Sequence, residues 1–240
     1  MTIKAILFDM FDTLVIVKKN HEYYTPSFLK MYEYLKRNGV ETSIETFEKA
    51  FNKARDDLYE KADPNLEEPH FNVRISQTLK SLGYNYDVSS SIVLSASSEF
   101  CDEFMKYVYL DKDAEAVVRN FYGKYKLGII SNYAIPECID KLLRAYGLYS
   151  LFDVVVVSAA VNKRKPSPEI FNNTLNALRV SAKETIFVGD TLEADVDGAK
   201  AVGMKAVYIV RRAEEGNILP DVTIKSLSEL PSVLKQLLKV

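Results

Sequence analysis

Ile3-Lys-Ala-Ile-Leu-Phe8 runs without a turn former straight into Asp9-Met10-Phe11-Asp12-Thr13-Leu14. Six mostly apolar residues of this kind read as a strand buried on both faces, which belongs in a parallel α/β sheet. Because the run stops on acids and a threonine, those groups fall at the strand's carboxyl end, where such sheets keep their active sites. A carboxylate held there can be a nucleophile or a metal ligand. A solvated turn capping the next element would carry the same letters, so the rest of the chain has to decide.

The partner strands do not come next. After the β-like run Val15-Ile16-Val17, the sequence passes through Lys18-Lys19-Asn20 and takes on helical texture for about ninety residues. Phe28, Met31, Tyr32 and Leu35 lie at helical spacing and stop at Gly39. A second helix starts at Ser43, with Thr46 rather than the Glu of a capping box three residues on. It carries Phe47, Ala50, Phe51, Ala54 and Leu58, and Pro64 and Pro69 close it. Val73, Ile75, Leu79 and Leu82 make a third helix ending at Gly83, and the spacing predicts a fourth from Val88 to about Val108. Four amphipathic helices on short loops predict a bundle.

From Ala114 the pattern changes to helices alternating with short apolar runs at Leu127–Ile130, Val154–Val157, Thr185–Val188 and Ala206–Val210. That alternation is the mark of parallel βαβ units. The first strand therefore belongs with the second half, and the helical block is inserted into its sheet. The expected division is a core of residues 1–14 and 112–240 with a helical unit of residues 15–111.

A chain of 240 residues that is 48% hydrophobic can bury one large core or two modest ones. With 31 basic and 33 acidic residues the net charge is -2, so nothing general draws it to nucleic acid or an acidic membrane, and any phosphate binding must be local. Runs such as Arg55-Asp56-Asp57 read as the wet faces of helices. Cys101 and Cys138 stand in no metal-ligand spacing and are expected as reduced core thiols, which favours the cytosol. There is no basic region leading into an apolar run and no 18-residue apolar stretch, so a soluble, cytoplasmic protein is expected. Nothing in the sequence sets an oligomeric state.

Further polar groups stand where the apolar runs end. Ser131-Asn132 follows Gly128-Ile-Ile130, and Gly189-Asp190 follows Phe187-Val188, with Asp195 five residues on. Lys165-Pro166 precedes a helix whose first turn holds Pro168-Glu169. Singly, Ser131 could be a helix cap, Lys165 a surface lysine and Asp190 a turn residue. Jointly, in one βα series, they supply a carboxylate nucleophile, a hydroxyl and amide pair sized for phosphate, a cation and a second carboxylate cluster. Phosphate and Asp9 repel one another unless a cation lies between them. Hard oxygen ligands from Asp9 and Asp190 suit Mg²⁺, and Lys165 would neutralise the remaining charge.

These stretches resemble the four motifs of the haloacid dehalogenase-like hydrolases: Asp9-Met-Phe-Asp-Thr13, Ser131-Asn132, Lys165-Pro166 with Pro168-Glu-Ile-Phe171, and Gly189-Asp190-Thr-Leu-Glu-Ala-Asp195. The resemblance extends through the core to Asp221–Leu230. It implies a Rossmann-like sheet, an all-helical cap inserted after the first motif, and hydrolysis through a covalent intermediate on Asp9. By position, Asp9 is nucleophile and metal ligand, the Phe11 carbonyl oxygen a second ligand, and Asp190 and Asp195 the remaining metal-side acids. Thr13 braces the loop, while Ser131 and the Asn132 amide hold the substrate phosphate beside Lys165.

Phe11 departs from the phosphatases of the family, which carry an aspartate there as general acid and base. The family's dehalogenases also place an aromatic residue at that position, since a halide leaves without a proton, but they bind no metal and differ at the fourth motif. The sequence thus predicts a Mg²⁺-dependent phosphatase of a small phosphorylated metabolite. A 2-haloacid dehalogenase, or a weakly catalytic phosphate-binding regulator, stands as the alternative. Specificity is expected from side chains of the inserted helices that face the cleft; His70, Asn72, Arg74, Tyr23 and Tyr24 are candidates only, each reading more readily as a structural or surface residue.

Overall fold

The computed structural model of the protein describes residues 2–18, 22–211 and 219–237. Lys19 and Asn20, where the sequence changes texture, lie outside them. Strand β1 (Ala5–Phe8) is buried at every residue. After the turn at residues 9–14 comes the short β2 (Val15–Val17), then α1 (Tyr24–Arg37), α2 (Ile44–Ala62), α3 (Phe71–Ser81) and α4 (Ser91–Phe104). The four helices pack through aromatic rings: Phe28 lies 5.6 Å from Phe51 and 5.8 Å from Phe47, centroid to centroid, and Phe71 lies 4.9 Å from Phe100. The Ser43 side chain caps α2 by accepting from the Thr46 N–H at 3.2 Å.

The fourth helix is shorter than its sequence predicts. It begins at Ser91, leaving Val88 exposed, and ends at Phe104 in a 3₁₀ turn, Met105–Tyr107. Val108, expected at the helix end, instead opens β3 (Val108–Leu110), which pairs antiparallel with β2, Val15 opposite Leu110 and Val17 opposite Val108. These β-forming residues find ladder partners in the other connection, and that pairing overrides helical spacing. Both chain segments joining the helical block to the sheet therefore run as one ribbon.

The second half supplies α5 (Ala114–Phe121), β4 (Lys126–Ser131), α6 (Pro136–Ala145), β5 (Val154–Val157), α7 (Ser158–Val161), α8 (Pro168–Leu178), β6 (Thr185–Gly189), α9 (Gly198–Ala201), β7 (Lys205–Ile209), β8 (Val222–Ile224) and α10 (Leu230–Leu237). The sheet order is β5-β4-β1-β6-β7-β8, with every pair parallel. Counted in core order this is 3-2-1-4-5-6, the doubly wound arrangement, and its direction of winding reverses between β1 and β6. Alternate residues of β1 face opposite layers: Ile6 and Phe8 join the core shared with α5, α6 and the inserted helices, while Ala5 and Leu7 join the core under α8 and α9. Cys101 of α4 and Cys138 of α6 are free and buried, as expected, yet their thiols meet, and that contact together with burial pushes Cys138 up. Among the described residues no helix is long and apolar enough to cross a membrane.

Candidate active site

Register places the chemistry. Phe8 lies opposite Ile129 of β4 and Val188 of β6, so the next residue, Asp9, emerges beside the ends of both neighbours. The Asp9 N–H still donates to the Val188 carbonyl at 2.9 Å, which holds the residue in line with the strand. Asp190 leaves β6 one residue past its end, at the switch point where open α/β sheets take ligands. Asp195 returns in the irregular π-type turn Leu192–Asp197 and accepts from the Thr191 N–H at 2.9 Å. Gly189 is required for this, since a side chain there would run into the Asp195 carboxyl group.

Lys165 comes from the loop before α8. Its ammonium is buried and donates to Asp9 Oδ1 at 2.5 Å and Asp195 Oδ1 at 2.7 Å. Burial alone would lower this ammonium, but Asp195 and Asp9 more than offset it and hold it above the usual lysine range. The Asp9 carboxyl moves the other way: burial, opposed by Lys165 and aided by Asp195, pushes it up to about 7. Asp9, Asp190 and Asp195 each offer an oxygen within 4.8 Å of the others. With all three carboxylates ionised, one ammonium would leave two negative charges uncompensated, and a hard divalent cation with oxygen ligands matches both that charge and the donor set.

The cleft above these groups has a volume of about 170 Å³ and is lined by Asp9, Phe11, Asp12, Asn132, Lys165, Asp190, Thr191, Ala194 and Asp195. Every one of these comes from the sheet side. Thr13 and Ser131 lie fully buried behind the lining, and neither hydroxyl finds a hydrogen-bond partner among the described residues. Ser131 ends β4 and is no helix cap, because α6 starts at Pro136. The Asn132 carboxamide brackets Lys165, donating to its carbonyl at 2.9 Å and accepting from its N–H at 2.8 Å.

Asp12 sits at φ 52°, a left-handed conformation that aspartate tolerates better than most residues, and its Oδ1 accepts from the Val17 N–H at 3.3 Å. The Phe11 ring packs 4.9 Å from Tyr133 and 5.7 Å from Phe104 of α4, so it joins the sheet to the inserted helices. None of the expected specificity residues is among those lining the cleft, although Tyr23 stands close enough to Asp12 that, after burial and Tyr24, this carboxylate helps push its hydroxyl up. His70 caps α3 by accepting from the Asn72 N–H at 3.1 Å and lies 3.4 Å from Glu137, while Asn72 is buried in the same turn. Arg74 stacks 3.5 Å above the Phe51 ring and donates to the Tyr24 hydroxyl at 3.3 Å, and Tyr23 packs against Phe104 at 4.9 Å.

Arg211 escaped the sequence reading. Its guanidinium donates to the Asp12 carbonyl at 2.9 Å, the Thr13 carbonyl at 3.0 Å and Asp111 Oδ2 at 2.8 Å, so it holds the turn after β1. The signal was available, because Arg211 follows the apolar run Ala206–Val210 just as Asp190 follows Phe187-Val188.

Residues 3–203 match the haloacid dehalogenase-like hydrolase family. Among similar proteins are two glyceraldehyde 3-phosphate phosphatases. One, from Methanopyrus kandleri, is 28% identical over 99% of both chains; the other, from Pyrococcus abyssi, is 31% identical over 86% of this chain and 81% of its own. Among solved structures, the 2-haloacid dehalogenase from Pseudomonas syringae pv. Tomato DC3000 superposes with a TM-score of 0.76 at 22% identity, covering 98% of this chain and 100% of that one, a likeness of fold. A doubly wound sheet with an acid and lysine cluster at its switch point, in a chain matched over residues 3–203, makes this protein a member of the haloacid dehalogenase-like hydrolases.

Proposed function

We propose that the protein is a Mg²⁺-dependent phosphatase of small phosphorylated metabolites, with a catalytic core of residues 1–14 and 112–240 under a helical cap of residues 15–111. The observation that carries this reading is the trio of buried carboxylates around one lysine, whose surplus negative charge suits a divalent cation better than a metal-free site. Asp9, Asp190 and Asp195, with the Phe11 carbonyl, would hold the ion. Mg²⁺ there would screen the approach of an anionic phosphate to an anionic nucleophile.

The chain's own residues account for the rest. Asp9 attacks phosphorus and the P–O bond to the leaving group breaks, giving an aspartyl phosphate and an alcoholate or phenolate. Water then hydrolyses the acyl phosphate, releasing inorganic phosphate and restoring the carboxylate. Lys165 balances charge on the phosphoryl oxygens, with Ser131 and the Asn132 main-chain amide on the same side. Glyceraldehyde 3-phosphate, named for the relatives, is the first substrate to test.

Phe11 favours one second reading, a 2-haloacid dehalogenase, since it leaves the cleft without the expected acid. Assaying a panel of metabolite phosphates with Mg²⁺ beside 2-chloropropionate without metal separates the two. Phosphate release by the wild type, absent from Asp9→Asn, supports the phosphatase. Chloride release alone refutes it.

A further inference from the structure

No residue of α1–α4 lines the cleft, yet the inserted block takes hold of the chain one peptide bond away from Lys165. The turn after α2, residues 63–68, accepts four hydrogen bonds from Lys163 and Arg164. The Arg164 N–H donates to the Leu66 carbonyl at 2.8 Å, Nη1 to the Glu67 carbonyl at 2.6 Å and Nη2 to Asp63 Oδ1 at 2.7 Å. Lys163 Nζ adds a bond to the Asn65 carbonyl at 3.0 Å. Three of these acceptors are main-chain carbonyls, presented together because Leu66 adopts φ 51° and folds the turn back on itself. Beneath them the buried Glu68 accepts from the Tyr59 hydroxyl, with the Ser158 hydroxyl of the sheet side next to it.

From the opposite side, the Asn132 carboxamide fixes the main chain of Lys165 itself. The loop carrying the lysine is thus clamped between a strand end of the sheet and a turn of the insertion. A lysine side chain is long and loses much rotamer freedom when ordered, so an ammonium wedged between Asp9 and Asp195 depends on a fixed backbone below it. Small displacements of a charge from its working position are costly to catalysis.

We propose that Arg164 is a positioning residue for Lys165: its fork on the 63–68 turn sets where the ammonium stands, so that seating the helical block and placing the catalytic cation are a single event. This deepens the phosphatase reading and rests on it only for the role of Lys165. A guanidinium is suited to the task, since its rigid planar fork engages a carbonyl and a carboxylate from two nitrogens held in one fixed geometry.

The test uses Arg164→Ala and, on the other side of the contact, Asp63→Ala, whose side chain is exposed and tolerant of change. The first readout needs no activity: brief acylation of the folded protein, with modification of each lysine measured by peptide mass spectrometry. Labelling of Lys165 should rise about tenfold in both variants, the amount one charge-assisted hydrogen bond can shift an equilibrium, while exposed Lys53 is unchanged. The second readout is kcat/KM on p-nitrophenyl phosphate with Mg²⁺, in wild-type and Lys165→Ala backgrounds. A loss of about tenfold from Arg164→Ala that disappears when Lys165 is already gone is the coupling expected of a residue acting through the lysine. Unchanged Lys165 labelling in both variants, or equal losses in both backgrounds, overturns the proposal. Should the wild type hydrolyse no phosphate ester faster than Asp9→Asn, the phosphatase reading fails by itself, and the labelling result still decides the positioning of Lys165.

Discussion

The two sides of the cleft are built by opposite means. On the sheet side, polar groups emerge from the ends of apolar strands, and like charges are buried close together, with Asp9, Asp190 and Asp195 sharing one small volume. On the helical side the interior is a stack of rings, Phe28, Phe47, Phe51, Phe71 and Phe100, and no side chain of α1–α4 lines the cleft. Buried like charges cost stability, and packed aromatic residues supply it. Chemistry demands placement to a fraction of an ångström, which a strand end held by two neighbours provides. A helical block tied on by a ribbon, by Phe11 and by the 63–68 turn is free to differ in its interior without disturbing the acids.

The contrast can be broken at Phe11, which lines the cleft and packs against the helical side. If Phe11 leaves the departing oxygen without an acid, aryl phosphates should be hydrolysed about 10²–10⁴-fold faster than alkyl phosphates, the usual worth of general acid catalysis. Phe11→Asp should narrow that ratio while lowering thermal stability, because it also removes the ring contacts to Tyr133 and Phe104. Asp12→Asn should leave the ratio alone, since the Asp12 carboxylate is turned to the Val17 N–H. Equal aryl and alkyl rates, untouched by either substitution, would mean that protonation does not limit the reaction.

Two further substitutions should separate the halves. Phe51→Ala, which opens a hole among the rings and takes away the surface under Arg74, should cost ~3–5 kcal/mol of unfolding free energy, read by denaturant titration. Measured well below the melting temperature, its kcat should stay near that of the wild type. Asp190→Asn should do the reverse: turnover falls about a hundredfold, excess Mg²⁺ restores part of it, and the melting temperature holds or rises as buried like charge is relieved. A Phe51→Ala protein that is stable but inactive, or an Asp190→Asn protein that is active but unstable, would erase the distinction.

Much of this was legible in the sequence because it is local. An apolar run ending on a polar residue is a strand delivering a side chain to the sheet's edge, and that rule found Asp9, Ser131 and Asp190; Lys165 was found as the cation before a helix marked by Pro168-Glu169. Helical spacing found the inserted block for the same reason. What stayed hidden depends on partners distant in sequence. Val108–Leu110 is a strand only because Val15–Val17 lies beside it, and Cys101 meets Cys138 only once α4 rests against α6. The Asn132 carboxamide closes on the Lys165 backbone, and the 63–68 turn on Arg164, only once segments far apart in sequence meet. The cap candidates could not be sorted from sequence for a related reason, because polar residues on an amphipathic helix look alike whether they face a substrate or cap and stack within the bundle.

The central claim is that Asp9 carries the phosphoryl group during turnover. Rapid acid quenching during steady-state hydrolysis of p-nitrophenyl phosphate, followed by peptide mass spectrometry, tests it most directly. The expected result is an acid-stable, base-labile phosphoryl group on the peptide containing Asp9, present in the wild type and missing from Asp9→Asn, which should also lack turnover. An unmodified Asp9 peptide at every quench time, with Asp9→Asn still releasing phosphate at the wild-type rate, would contradict it.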